Sequence, residues 1–183
     1  MVLPTAYWGP ISYFQALHAH RNNVEIEQWE SFEKQTFRNR CVLHNPDGSV
    51  LTLIVPVCKA EHKQPTRDVR ISYQQHWQHQ HWTALTSAYR HTPYFRYYED
   101  YFRTIYETDY TYLLDLNEAL SQIVLCLIDN QAPATAQTPE LPRTTAWSGQ
   151  TWTDRHVWQH ETGIADMLFE YGPQIVKHLR GLS

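Results

Sequence analysis

The hydrophobic pattern changes its period between the two halves of the chain. In the first half, short runs of alternating or β-branched apolar residues are typical of strands. These runs lie at residues 2–4, 24–29, 41–44, 50–57 and 69–73. A helical spacing of apolar residues separates the first two of them, at 11–20 after Gly9 and Pro10. The pattern therefore predicts a β-sheet built from about residues 1–73.

Two connections indicate how these strands pair. The turn sequence NPDGS at 45–49 combines Pro46, which presets φ, with Gly48, which can take a positive φ, and it predicts a hairpin. The helix at 11–20 can serve as the crossover that a parallel pair requires, so parallel pairing is available only to the first two strands. The expected sheet is therefore mixed.

From Trp77 onward the apolar residues recur at helical spacing. Three stripes cover about residues 82–89, 95–105 and 113–127, and Thr92-Pro93 interrupts the series. A further helical stretch, residues 164–179, contains a break at Gly172-Pro173. The segment 131–150 holds three prolines and few apolar anchors, which predicts a loop.

Strands in the first half and helices in the second predict an α/β or α+β fold. In this arrangement a mixed β-sheet from about residues 1–73 packs against a mainly helical C-terminal half. The length of 183 residues fits a single domain, 1–183, with 131–150 as its main loop.

Composition and charge narrow the classes of partner. The formal net charge is -4, from 15 basic and 19 acidic residues, so the chain lacks the broad positive field of nucleic-acid-binding proteins. The longest apolar run, residues 123–128, is too short to cross a bilayer, and the N-terminus does not resemble a signal peptide. The three widely spaced cysteines are typical of reduced, buried thiols. We expect a cytoplasmic protein that neither inserts into membranes nor binds nucleic acid.

The stretch KQTFRNR concentrates Lys34, Arg38 and Arg40 in an acidic chain. One interpretation is structural: the two arginines pair across the sheet with Glu25 and Glu27 of the preceding strand. The other is functional: arginines flanking an asparagine form a forked cradle for phosphate or carboxylate. The spacing leaves both interpretations open.

Histidines cluster in QQHWQHQHW, residues 74–82. His76 and His79 lie one helical turn apart, but no third ligand stands at a known spacing, so we predict no metal site. His81, between two tryptophans, is a candidate general acid or base. No nucleophile elbow, phosphate-binding loop or dinucleotide fingerprint is present in the sequence.

Several segments, taken together and in order, resemble the WbqC-like protein family, in the branch common in Bacteroidetes. They are LPTAYWGPISYF, IEQWESFEKQTFRNRC, LTLIVPV, HWTALTSAYRHTPYFRYYED and DMLFEYGPQIVKHL. The resemblance implies that KQTFRNR is a family feature. It also implies a role in O-antigen or other surface-polysaccharide assembly, with glycyl, amino-acyl or acyl transfer to a glycan precursor as the suggested reaction.

The resulting hypothesis is a transferase that uses a small-molecule activated donor and a glycan-type acceptor. Its ligand-binding residues would be Lys34, Arg38 and Arg40 for the donor's anionic group, Asn39 for a polar group, and Tyr7 and Trp8 for the border of the pocket. The catalytic residue, a proton carrier, would be His81 or Glu27. Alternatives are a non-catalytic scaffold protein of glycan assembly and, with less support, a nucleotidyl-type transferase. The sequence names no cofactor and no oligomeric state.

Overall fold

The structure is a computed structural model, and it describes residues 1–20, 23–59, 61–130, 141–146, 148 and 163–180. The N-terminal half contains four strands and one helix. They are β1 (Val2–Pro4), α1 (Ile11–Ala19), β2 (Glu25–Glu27), β3 (Arg40–His44) and β4 (Val50–Ile54). The C-terminal half is helical, which confirms the predicted α/β class.

The strands form two small sheets. Strands β1 and β2 pair in parallel, with Leu3 opposite Ile26, and α1 is the crossover between them. Strands β3 and β4 pair antiparallel as the predicted hairpin, in which Gly48 takes a φ of 81°. The predicted strand at 69–73 is wrong. That segment instead makes single bridges, from Ile71 to Val57 and from Arg70 to Tyr112.

The helices agree with the apolar stripes of the sequence. They are α2 (Trp77–Tyr89), α3 (Phe95–Glu107), α4 (Leu113–Ile128), α5 (Ile164–Tyr171) and α6 (Ile175–Arg180), with 3-10 turns at Thr66–Asp68 and Gly172–Gln174. The second 3-10 turn is the predicted break between α5 and α6. The predicted loop 131–150 is described only at 141–146 and 148, where no helix or strand forms, and the rest of it lies outside the described residues.

Aromatic side chains join the two halves in the core. Trp8, 1% exposed, packs against Phe102 of α3 and Phe169 of α5, with ring centroids 4.8 and 5.9 Å apart. Phe95 also contacts Phe169, at 5.0 Å. Each fully buried ring of this size contributes about 2–3 kcal/mol through the hydrophobic effect. The loop after β1 is therefore fixed against the helical half.

The three cysteines differ in their exposure to solvent. Cys41, Cys58 and Cys126 do not form disulfides among the described residues. Cys41 is buried as predicted, but Cys58 is exposed because it follows the end of β4 in an irregular segment.

Among the described residues, no helix combines the length and the apolar composition that a bilayer crossing requires.

Candidate active site

The basic stretch KQTFRNR forms a turn rather than a strand, and only its last residue enters β3. Within the turn, Arg38 is 1% exposed and binds Glu30 in a bidentate ion pair. Its Nε donates to Oε1 and its Nη2 to Oε2, each at 2.6 Å. The structural interpretation therefore had the wrong acidic partner. Glu25 and Glu27 belong to the β1–β2 sheet, whereas Arg40 belongs to the β3–β4 hairpin.

Asn39 also uses its side chain within the protein. Its Oδ1 accepts from the backbone N–H of Gln35 at 3.0 Å, and its Nδ2 donates to the carbonyl of Val55 at 3.0 Å. Lys34 is exposed and Arg40 is partly exposed at the start of β3. The four predicted anion-binding residues thus divide into two that face the interior and two that reach solvent. Their role in ligand binding stays a prediction.

Tyr7, Trp8 and His81, predicted from separate parts of the sequence, lie together. The Tyr7 hydroxyl is 2.8 Å from Nδ1 of His81 and 2.7 Å from the hydroxyl of Tyr106, which in turn accepts from Nε1 of Trp8 at 2.8 Å. All four side chains are at most 5% exposed. We call this set the polar chain. Tyr7 and Trp8 therefore stand inside the core rather than at the border of the cleft described below.

Burial in the polar chain determines the protonation state of His81. Nδ1 of His81 lies 2.8 Å from the Tyr7 hydroxyl, and the ring also bonds to the backbone of Ile54. Burial lowers the pKa of His81 from 6.5 to about 4, and the bond to Ile54 opposes this only in part. At neutral pH, His81 is therefore a neutral imidazole, bonded to Tyr7 and to the backbone of Ile54.

Glu27, the other predicted proton carrier, is fully buried beside residues 144 and 148. Its carboxylate accepts from the backbone N–H of Trp29 at 2.9 Å, the hydroxyl of Thr144 at 3.0 Å and the backbone N–H of Ser148 at 2.8 Å. Burial raises the pKa of Glu27, but the hydrogen bonds from Ser148, Trp29 and Thr144 outweigh it and bring the pKa below its usual value. The group is thus ionised and held by hydrogen bonds.

A large open cleft lies elsewhere, between the tip of the hairpin, the end of α2 and α5. Its volume is about 780 Å³. The lining includes His44 at the end of β3, Tyr89 at the end of α2, His91 in the following loop, and Asp166 and Glu170 on α5. Titratable groups from three elements therefore face one space.

His44 and Asp166 form a pair inside this cleft. Nδ1 of His44 is 2.8 Å from Oδ2 of Asp166, so the ring donates from Nδ1 to the carboxylate. The other oxygen, Oδ1, accepts from the Tyr89 hydroxyl at 2.6 Å and from the His44 backbone N–H at 3.4 Å. The His44 side chain is 43% exposed and that of Asp166 is 17% exposed. We call these two residues the dyad.

Close packing of α5 on the hairpin brings the dyad together. A Cβ added at Gly163, the residue before α5, would lie 2.9 Å from the carbonyl of Val42 in β3. A glycine at this position therefore permits a backbone approach that other residues would obstruct. The N–H of Ile164 also bonds to the carbonyl of Gly9 at 3.1 Å, which anchors the start of α5. Asp166, in the first turn, consequently reaches the end of β3.

The dyad has the geometry of a general base. The bond to Asp166 places the proton on Nδ1, which leaves the lone pair of Nε2 available on a half-exposed ring. Burial and the neighbouring Asp166 charge raise the pKa of the Tyr89 hydroxyl, so it remains a donor to Asp166. The described part of the chain contains no group of three histidine, cysteine or acidic side chains placed to hold a metal ion.

Neither His44 nor Asp166 stood out from the sequence. His44 ends a hydrophobic run, and Asp166 begins the DMLFEYGP segment, so neither stands in a recognisable catalytic motif. They are 122 positions apart, and only the docking of α5 joins them. The resemblance of DMLFEYGP to a family motif was the one available signal.

Fold and cleft together define an α/β protein with a histidine–carboxylate pair in an open cleft. A model of the WbqC-like protein family matches residues 6–145 of the 183, and the chain belongs to this family. The match includes His44 and the polar chain but ends before Asp166, and it does not assign a branch within the family. No match was found among curated proteins or solved structures.

Proposed function

We propose that the protein is a transferase of surface-polysaccharide assembly that moves an acyl or amino-acyl group from an activated donor to a glycan-type acceptor. The observation that carries the proposal is the dyad, in which Asp166 orients His44 and leaves Nε2 open to a cleft large enough for a sugar. Membership of the WbqC-like family, which is loosely associated with polysaccharide genes, supports the pathway.

The chemistry assigned to the cleft is base-assisted nucleophilic attack. Nε2 of His44 takes a proton from the acceptor while the acceptor's heteroatom attacks the carbonyl carbon of the donor. The new bond forms, the bond to the leaving group breaks, and the leaving group departs with the electron pair. Asp166 stabilises the imidazolium that forms, and His44 then gives the proton to the leaving group.

Other side chains have supporting roles in this proposal. Tyr89 holds Asp166 in position through its 2.6 Å hydrogen bond. Lys34 and Arg40 retain exposed surface, so they are the members of KQTFRNR that we assign to the donor's anionic group. We assign proton transfer to His44 rather than to His81 or Glu27, because both of those groups are buried and hydrogen-bonded within the protein.

The test is turnover of a panel of acyl thioesters and amino-acyl donors with sugar acceptors, followed by mass spectrometry of the products. Replacing the base, His44→Ala, should lower the rate by roughly 10²–10⁴-fold without unfolding the protein. Asp166→Asn should give a loss of similar order, because it releases the ring from its productive tautomer. The matched control is His79→Ala, which removes an exposed histidine outside the cleft.

Two outcomes would contradict the proposal. Full activity in a folded His44→Ala variant would exclude His44 as the base. Absence of turnover by the wild type with every donor would favour the alternative, a non-catalytic binding or scaffold protein of the same pathway.

A further inference from the structure

The charges that line the cleft have one sign. Glu170 follows Asp166 by four positions on α5, so the two carboxylates share a helix face, and both line the cleft. Glu170 is exposed and has no ion-pair or hydrogen-bond partner among the described residues. Among the described residues that form the lining there is no lysine or arginine. The other ionisable side chains of the lining are those of His44, Tyr89, His91 and Tyr171, and Arg90 donates from Nε to Nε2 of His91 at 2.9 Å.

This lining selects among ligand groups by charge. A phosphate or carboxylate in the cleft would face Asp166 and Glu170, and the repulsion has no lysine or arginine of the lining to offset it, because the neighbouring Arg90 is bonded to His91. A protonated amine would be attracted instead, and it would also relieve the repulsion between two carboxylates one helical turn apart. The cleft is therefore complementary to a cation that carries hydrogen-bond donors.

We propose that the acceptor's reacting group is a primary amine, such as that of an amino sugar, which Glu170 binds as an ammonium ion beside Nε2 of His44. This inference rests on the proposed function. In the reaction, His44 removes one proton from the ammonium nitrogen, and the amine attacks the carbonyl carbon of an acyl thioester. A C–N bond forms and the C–S bond breaks. The thiolate leaves and takes the proton from His44, and the second nitrogen-bound proton goes to solvent, so the products are an amide and a thiol.

Asp166 and Glu170 have different roles in this proposal. Asp166 is occupied by His44 and Tyr89, so it orients the base. Glu170 lies one turn further along α5, on the same face, and its carboxylate remains available to a ligand. Removal of the Glu170 charge should therefore affect recognition of the amine without disturbing the dyad.

The experiment measures binding of matched sugars through the imidazole signals of His44 in NMR spectra, at a pH below the pKa of the amine. The probes are glucosamine, glucose, N-acetylglucosamine and glucose 6-phosphate. Glucosamine should bind about three- to fivefold more tightly than glucose, as expected for one partly exposed ion pair, and glucose 6-phosphate should bind most weakly. Glu170→Gln should abolish the preference for glucosamine, whereas Glu107→Gln, an exposed glutamate outside the cleft, should preserve it.

Each outcome separates the two proposals. Equal affinity for glucosamine and glucose, a preference that survives Glu170→Gln, or no shift of the His44 signals with any probe would overturn the amine inference. None of these results changes the interpretation of the His44→Ala turnover assay. Conversely, an amine preference in a protein whose turnover does not need His44 would retain the amine site and refute the proposed base.

Discussion

The polar chain and the dyad each hold a histidine through Nδ1, with the Tyr7 hydroxyl as the partner of His81 and the Asp166 carboxylate as the partner of His44. His81 lies on α2 beside the β3–β4 hairpin, and His44 connects the hairpin to α5. His81 contacts Ile54 near one end of the hairpin, and His44 lies at the other end beside Asp166. His81 is 4% exposed and bonds to Tyr7 and to the backbone of Ile54, whereas the His44 side chain is 43% exposed and bonds through Nδ1 to Asp166. Exposure and bonding partners, rather than the residue type, distinguish the structural His81 from the base proposed at His44.

The two regions also differ in what the surrounding protein must provide. A buried polar group is costly unless its hydrogen bonds are complete, and the polar chain meets this condition from Trp8 to the backbone of Ile54. The Arg38–Glu30 ion pair is a second buried polar contact. In the dyad, water can replace a lost partner. We therefore expect substitutions in these buried contacts to lower the free energy of unfolding, and substitutions in the cleft to lower the catalytic rate.

The largest expected effect concerns Arg38. Arg38→Ala leaves the carboxylate of Glu30 buried without its bidentate partner, so we expect a loss of about 3–5 kcal/mol in the free energy of unfolding, measured by urea denaturation. Arg40→Ala, at a partly exposed position of the same stretch, should change stability by less than about 1 kcal/mol.

A double variant sharpens this result. Arg38→Met with Glu30→Leu removes both charges, and it should recover most of the stability lost in Arg38→Ala. Equal stability of Arg38→Ala and wild type would mean that the pair does not hold the turn, and it would restore Arg38 as a candidate ligand-binding residue.

The next effect is a pH dependence of stability that arises from His81 in the polar chain. The folded-state pKa of His81 is about 4, below the unfolded value of 6.5. Between these values the unfolded chain binds a proton that the folded protein does not, so stability is complete above pH 6.5 and falls as the pH drops toward 4. Over this pH range, the titration of His81 should lower the free energy of unfolding by about 3 kcal/mol.

The measurement compares urea denaturation of wild type and His81→Gln across this pH range. Because other acidic groups titrate in both proteins, the difference between the two curves isolates His81. That difference should change between pH 6.5 and 4. A constant difference would show that His81 is not held neutral by burial.

The smallest effect is the stability of the dyad variants. His44→Ala and Asp166→Asn should each cost no more than about 1 kcal/mol in the free energy of unfolding, because the ion pair is partly exposed. Thermal unfolding would check this in the same preparations used for turnover. A loss as large as that of Arg38→Ala would remove the contrast between the two regions and assign the dyad a structural role.

The fold was predictable where local sequence determines it. The turn NPDGS specified the hairpin, Gly9-Pro10 preceded α1, and apolar spacing predicted the helices from α2 onward. What the sequence did not show is the division of the strands into two sheets. β1 and β2 are three residues long, and strands this short carry little information about their neighbours.

The site was predictable only in part, because residue type shows chemical potential but not exposure. Tyr7, Trp8 and His81 are joined by hydrogen bonds, yet they are buried, and Tyr106, which completes their chain from α3, lies just beyond the apolar stripe that the sequence showed. The composition of KQTFRNR indicated an anion site, but the partner of Arg38 depends on how the turn folds back on Glu30. No local pattern encodes these contacts.

His44 and Asp166 are far apart in sequence, so their contact depends on the docking of α5. The hairpin closes through the five residues between β3 and β4, whereas His44 and Asp166 enclose a loop of 122 positions, and longer loops cost more configurational entropy to close. A local opening that lifts α5 would separate the two side chains while the hairpin ladder remained intact. The reactive arrangement is thus a property of the docked helix, and it can be lost and regained without global unfolding.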